Sequence, residues 1–290
     1  MRDAADGQRY RDGYLRVRDG IKLHYRDYAG TADKLPLLCL PGLTRNARDF
    51  EALAETHSPN RRVIALDFRG RGLSEYDPVT ARYAPPTYAG DVIDLLDQLG
   101  LAPAIFVGTS LGGLVTMAIA ATAPQRIAAA ILNDIGPELD QRGLDRIQAY
   151  VGKDVRFKSW DEAAAAIAAN QRHAFPHYGP DEWLRTARRH CREREGQIGF
   201  DYDLAIGDVF KTVGPTPTID MWPLFAALAR KPLLVVRGEL SELLSASAFE
   251  KMREAAPAAR FTEVAGVGHA PMLDEPEAAE AIEEFLSTLP

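Results

Sequence analysis

Gly108-Thr109-Ser110-Leu111-Gly112-Gly113 follows directly on the apolar run Ala104-Ile105-Phe106-Val107 and leads into Leu114-Val115-Thr116-Met117-Ala118-Ile119-Ala120-Ala121. The first run has the β-branched and aromatic character of a buried strand, and the last is a good helix sequence that ends near Pro124. Between them lies a small-x-Ser-x-small pattern, in which the chain turns sharply onto a serine before the helix starts. Bulky side chains two residues before or after such a serine would collide with neighbouring backbone, which explains the small residues there. The turn projects the hydroxyl of Ser110 into a cleft. A helix N-terminus behind it favours developing negative charge.

Working outward, the chain opens with a hairpin pattern. Leu15 and Val17 alternate with polar residues, Asp19-Gly20 makes the turn, and Ile21, Leu23 and Tyr25 alternate after it. The pattern then changes to short continuous apolar runs at 37–40, 63–66, 104–107, 128–132 and 233–236, which suit strands buried on both faces of a parallel sheet. Helical segments separate the first four. Residues 88–100 place Val92, Ile93, Leu95, Leu96 and Leu99 on one face and stop at Gly100. Alternating strands and helices predict an α/β fold, with sites at the C-terminal strand ends.

The strand-helix rhythm breaks between about 137 and 223. Helices are expected near 140–151, 160–173 and 181–195, followed by a less regular stretch through Thr212-Val213-Gly214-Pro215-Thr216-Pro217. Strand chemistry resumes at Pro232. The expected organisation is a core of residues 1–136 and 224–290 with residues 137–223 inserted as a helical cap, or lid. Arg185, Arg188, Arg189, Arg192 and Arg194 interleave with Glu193 and Glu195 and are read as a solvated helix face.

The 290 residues carry a formal net charge of −7, which disfavours nucleic-acid binding and gives no attraction to anionic membranes. No apolar run approaches membrane-spanning length. Met1-Arg2-Asp3-Ala4-Ala5-Asp6 lacks the apolar core of a signal peptide, so a cytoplasmic location is expected. The two cysteines, Cys39 and Cys191, do not suggest a disulfide framework. Sequence alone leaves monomer and homodimer both open.

A serine nucleophile needs a base, and the base needs an orienting acid. Of the six histidines, His269 stands out. It lies in Gly266-Val267-Gly268-His269-Ala270-Pro271, after the strand-like Phe261-Thr262-Glu263-Val264 and before a helix that starts at Pro276 with Ile282, Phe285 and Leu286 on its apolar side. Glutamates Glu239 and Glu242 enter a loop after the run 233–236, and Asp134 ends the run before it. Glu242 is the expected acid and Asp134 the alternative. Each of these carboxylates has the competing reading of binding loop amides or another charge. His173 and His177 are four apart, but Pro176 falls between them and breaks the helix, so no metal site is expected.

The order Ser, acid, His, taken with four further stretches, resembles the α/β-hydrolase fold superfamily, in a form with an inserted cap. Leu40-Pro41-Gly42-Leu43-Thr44 resembles its oxyanion loop, with Leu40 where histidine is usual. Asp67-Phe68-Arg69-Gly70-Arg71-Gly72-Leu73-Ser74 resembles its Asp-x-Arg-Gly turn, read as bracing the sheet. Arg237-Gly238-Glu239-Leu240-Ser241-Glu242 resembles its acid loop, with Glu242 where aspartate is usual, and the His269 segment resembles its histidine loop. The resemblance spans most of the chain. It implies a mostly parallel central sheet flanked by helices, and a serine hydrolase that needs no cofactor. It assigns the oxyanion-binding amides to Leu43 and Leu111. The expected substrate is a small-molecule carboxylic ester or lactone. A carbon–carbon bond hydrolase of β-diketone type and a ligand-binding, near-inactive relative are the alternatives. Trp160, Tyr178, Trp183 and Trp222 are candidate pocket aromatics, and Arg45 is a candidate for a polar substrate group.

Overall fold

The computed structural model describes residues 9–31, 33–208 and 220–290. Met1–Asp6 and the stretch Thr212–Pro217 lie outside the described residues. The first two strands, β1 (Arg11–Arg16) and β2 (Lys22–Tyr28), form the expected antiparallel hairpin. There follow β3 (Leu37–Leu40), α1 (Glu51–His57), β4 (Val63–Asp67), α2 (Pro85–Leu99), β5 (Ala104–Thr109), α3 (Leu111–Thr122) and β6 (Ile127–Asn133). After an insertion come α7 (Trp222–Leu228), β10 (Leu233–Gly238), α8 (Ala246–Ala255), β11 (Arg260–Val264) and α9 (Pro276–Ser287). The eight strands of the central sheet run β1-β2-β4-β3-β5-β6-β10-β11. From β4 to β11 neighbouring strands are parallel, and β1 and β2 extend the β4 edge antiparallel.

The short apolar runs form these strands because both faces of the sheet are covered. Leu38, Leu40 and Phe106 face a core built with Val92 and Leu95 of α2, Val115 and Met117 of α3, and Phe225 of α7. Leu37, Cys39, Ile105 and Val107 face the opposite core, with Leu53 of α1 and Ile282 and Phe285 of α9. Alternate side chains therefore enter different cores, and neither face selects polar residues. Helix α2 starts at Pro85, where a missing N–H costs nothing, and stops as expected at Gly100, which has φ +62°.

The insertion between β6 and β10 holds α4 (Gln141–Tyr150), α5 (Trp160–Gln171) and α6 (Pro180–His190), close to the expected helices. It is not helical throughout. Strands β7 (Arg156–Phe157), β8 (Cys191–Arg194) and β9 (Gln197–Phe200) form a small antiparallel sheet in the order β7-β9-β8. The helix expected through 195 therefore ends at His190. Glu195 and Gly196, with φ +52° and +74°, make a two-residue hairpin turn between β8 and β9. Consequently Arg192 and Arg194 are not on a solvated helix face. They approach the buried carboxylate of Asp201 to 3.3 and 3.1 Å, and Arg48 reaches it from the core at 2.8 Å.

The elbow between β5 and α3 is sterically tight. Ser110 has φ +51° and ψ −115°. A Cβ on Gly112 would fall 2.0 Å from the Leu40 carbonyl oxygen, and one on Gly108 would fall 2.6 Å from the Gly113 nitrogen. No rotamer relieves a clash between Cβ and backbone. Gly112→Ala is expected to destabilise the protein by about 2 kcal/mol or more. The check is the urea midpoint: an unchanged midpoint would show that the approach of α3 to β3 is not constrained.

Candidate active site

Three loops at the C-terminal edge of the sheet bring Ser110, His269 and Asp134 together. Ser110 leaves β5, Asp134 leaves β6 with φ +56°, and His269 follows β11. The Nε2 atom of His269 lies 3.0 Å from Ser110 Oγ, and its Nδ1 lies 2.8 Å from Asp134 Oδ2. With the proton on Nδ1, the ring donates to Asp134 and turns the Nε2 lone pair to the serine hydroxyl. Asp134 is fully buried. Its Oδ1 accepts the Gly238 N–H at 3.0 Å and its Oδ2 accepts the Ser241 hydroxyl at 2.7 Å, so the carboxylate is held by donors on two sides besides the imidazole.

The carboxylate beside His269 is thus Asp134, and the expectation for Glu242 is corrected. Glu242 lies partly exposed, bound by Arg146 of α4 at 2.5 and 3.1 Å, with His173 at 3.4 Å. The hydrogen bond and charge of Arg146 hold its carboxyl below the usual glutamate range. Glu239 follows its competing reading: its carboxylate accepts the Gly266 N–H at 2.7 Å and so pins the start of the histidine loop. The reason the acid comes from β6 is spatial. β6 lies between β5 and β10, and its last residue falls between the serine and histidine loops.

The histidine loop is fixed at several points. Asn133 Nδ2 donates to the Pro271 carbonyl at 2.8 Å and to Thr109 Oγ1 at 3.1 Å, tying this loop to the elbow. The Gly268 N–H donates to Ala174 O of the insertion at 2.6 Å. Glu275 accepts the N–H groups of Met272 and Leu273 at 2.8 and 2.9 Å, and burial pushes its carboxyl above the usual range.

The loop after β3 lies against the elbow, since a Cβ placed on Gly42 would be 3.7 Å from Ser110 Cβ. Leu43 follows in that loop. Leu111 opens α3, where the first N–H groups have no intrahelical acceptor. Leu111 directly follows Ser110, and Leu43 directly follows Gly42, the residue of this loop that approaches it. The fully buried Arg71 donates from Nε to the Leu43 carbonyl at 2.8 Å and from Nη1 to Tyr88 Oη at 2.8 Å. Asp67 accepts the Ala47 N–H at 2.6 Å and the Leu73 N–H at 2.9 Å, and lies 2.7 Å from His24 Nδ1. The turn after β4 therefore holds the loop after β3 from behind, consistent with a bracing role. Arg71 is a buried support of this loop that the sequence did not single out.

A cavity of about 230 Å³ opens over Ser110. Its apolar walls include Phe50 of the core and Ile147, Tyr150, Phe157, Ile167 and Phe200 of the insertion. Arg45 also lines it. Trp160, Tyr178, Trp183 and Trp222 do not, and that expectation is corrected. Tyr178 and Trp183 pack on each other at 5.1 Å, with Phe175 stacked on Tyr178, as core of the insertion. Trp160 lies under Arg188 at 4.8 Å, and Trp222 donates its indole N–H to Glu138 at 3.1 Å. Tyr178 and Trp183 thus fill the insertion's interior with Phe175, while Phe50, Tyr150, Phe157 and Phe200 line the cavity. Among the described residues no group of three or more His, Cys, Asp or Glu side chains is gathered as for a metal ion. Among them no helix is long and apolar enough to cross a membrane.

A serine on a strand-to-helix turn, aligned with a histidine and a buried carboxylate at this edge of a largely parallel sheet, defines the class as an α/β hydrolase. The comparison with known proteins agrees: the chain belongs to the alpha/beta hydrolase family, whose sequence model matches residues 37–282. It is an enzyme with hydrolase activity. It is 30% identical to a 3-hydroxybutyrate-oligomer hydrolase of Cupriavidus necator, over 95% of this chain and 97% of that one. It is 28% identical to the esterase YbfF of Escherichia coli, over 87% and 93% of the two chains. Among solved structures, an alpha/beta hydrolase from Novosphingobium aromaticivorans superposes with a TM-score of 0.93 at 46% identity, covering 97% of this chain and 99% of that one.

The two acidic positions make opposite predictions. Asp134→Asn is expected to lower kcat/KM on a nitrophenyl ester by about a thousand- to ten-thousand-fold, because an amide favours the wrong imidazole tautomer. Glu242→Gln is expected to change it by less than about three-fold, as for a surface ion pair. Steady-state kinetics on both folded variants provides the check, and the reverse ranking would return the acid to Glu242.

Proposed function

We propose that the protein is a serine hydrolase of carboxylic esters, with lactones as their cyclic counterparts. The observation that carries this reading is the continuous series from Ser110 Oγ through His269 to Asp134, with spacings of 3.0 and 2.8 Å. His269 Nε2 takes the hydroxyl proton as Ser110 Oγ attacks the carbonyl carbon. The carbonyl electron pair moves onto oxygen, where the N–H groups of Leu43 and Leu111 receive it. When the tetrahedral intermediate collapses, the bond to the alkoxy oxygen breaks. The alcohol leaves with the proton from His269, and an acyl-enzyme on Ser110 remains. Water repeats the sequence, releasing the acid and restoring the serine. The Asp134 carboxylate orients the ring and stabilises the imidazolium formed at each step.

The apolar cavity walls support a small or medium, largely apolar acyl or alkyl part. The relatives from C. necator, a 3-hydroxybutyrate-oligomer hydrolase, and E. coli, an esterase, support ester chemistry over carbon–carbon cleavage. In this reading residues 137–223 act as a cap that walls the site and selects what enters it.

A fluorophosphonate probe should label Ser110, and Ser110→Ala should remove both labelling and turnover. A panel of nitrophenyl esters, lactones and β-diketones should show turnover of esters with short or medium acyl chains. Turnover confined to β-diketones, or absence of labelling in the folded wild type, would overturn the proposal.

A further inference from the structure

We infer that the cavity over Ser110 holds an anionic subsite, built by Arg45, His190 and Lys153, for a free carboxylate carried by the ester substrate. This deepens the hydrolase reading and rests on it. All three residues line the same cavity as Ser110 and His269. Arg45 stands beside the nucleophile, since a Cβ on Gly42 would be 3.4 Å from Arg45 Cγ and 3.7 Å from Ser110 Cβ.

The guanidinium is anchored on one side only. Arg45 Nη2 donates to Asp49 Oδ1 at 3.0 Å, and Nε lies 2.7 Å from Asp49 Oδ2, off the hydrogen-bond direction. Nη2 also meets Met272 Sδ at 3.7 Å. Among the described residues, Nη1 makes no hydrogen bond. The anchoring carboxylate thus fixes the plane of the fork and leaves its other edge unused.

His190 supplies an independent observation. It closes α6, is 4% exposed, and its Nε2 is buried without a hydrogen-bond partner. An orphaned imidazole nitrogen in a cavity wall is costly unless a ligand satisfies it. Burial holds the ring well below its ordinary pKa, and the charges of Arg45, Arg189 and Arg48 act in the same direction. The ring is therefore neutral, and as its Nε2–H tautomer it donates into a field that favours an anion. Lys153 stands exposed at the rim, and its ammonium has no acidic partner among the described residues.

Charge balance selects the kind of anion. The lining carries Arg45 and Lys153 against Asp49, an excess of one positive charge beside the triad. That matches a monoanion seated between apolar walls, as in a half-ester, better than a phosphate dianion.

Monomethyl glutarate and dimethyl glutarate test this directly. They share a chain and an ester group and differ in one free carboxylate. Titration calorimetry on Ser110→Ala, which leaves both compounds intact, should show the monoester binding at least about ten-fold more tightly than the diester. Adding Arg45→Gln should remove that margin, and Arg45→Lys should restore part of it. Lys153→Met, on the exposed rim, should reduce the margin about two- to five-fold and serves as the test if Arg45→Gln does not fold. Equal binding, tighter binding of the diester, binding of neither, or a margin unchanged in folded variants would overturn the subsite. The hydrolase reading is scored separately on the wild type. If Ser110 is not labelled by fluorophosphonate and no ester is turned over, that reading fails, while the calorimetry still decides the subsite.

Discussion

The active-site geometry depends on one steric contact, the approach of the first turn of α3 to the end of β3. With hydrogen in place of a side chain, Gly112 allows the Leu40 carbonyl to lie where a Cβ would be only 2.0 Å away. That approach sets Ser110 in its positive-φ conformation and brings the loop at Gly42 against it. Ser110 and the loop at Gly42 therefore both follow from one pair of adjacent strands, β3 and β5. The turn after β4 fixes the far side, with Arg71 on the Leu43 carbonyl and Asp67 on the Ala47 N–H. A site assembled this way needs little reorganisation when charge develops on the substrate oxygen.

The same logic explains which carboxylate faces the histidine. An orienting acid must remain charged inside the protein, so it needs donors that replace water. Asp134 has them in Gly238 N–H, the Ser241 hydroxyl and His269. Ser241 is in turn fixed by accepting the N–H groups of Leu243 and Leu244 at 3.3 and 3.1 Å. The loop after β10, where the acid was expected, thus supplies donors to the acid instead. Glu242 points to Arg146 and partial solvent, where a carboxylate costs little and orients nothing in the site.

The fold was legible because its signals are local and periodic. Apolar runs buried on both faces, Gly100 as a helix stop, and small residues around Ser110 each follow from the conformation they permit. Ser110 and His269 were legible for the same reason, as each sits in a short stretch whose shape is set by its neighbours. The acid was not, because its assignment depends on which of two adjacent loops reaches the imidazole, and both carry carboxylates at similar places in the pattern. The β8–β9 hairpin was missed because Arg192 to Glu195 is a charged run without apolar alternation. Its partner, the buried Asp201, is distant enough in the pattern to give no periodic cue. The pocket aromatics were misjudged because sequence shows ring size but not which interior a ring fills.

In the proposed reading, chemistry and selection occupy different parts of the chain. Ser110, His269, Asp134 and the flanking amides all come from loops of the central sheet. Most of the apolar wall, with His190 and Lys153, comes from the insertion between β6 and β10. The core adds Leu43, Arg45, Phe50, Met272 and Leu273 to the lining, and Asn46 and Arg48 beside Arg45 donate to the Arg189 carbonyl of the insertion at 3.0 and 2.9 Å. The segment that bears Arg45 is therefore also one that ties the insertion to the core. Among the described residues, neither Arg45 nor His190 is hydrogen-bonded to a member of the Ser110–His269–Asp134 series. Substrate preference can then vary at constant hydrolytic geometry, which is the physical reason that fold and catalytic order identify the reaction more readily than the substrate.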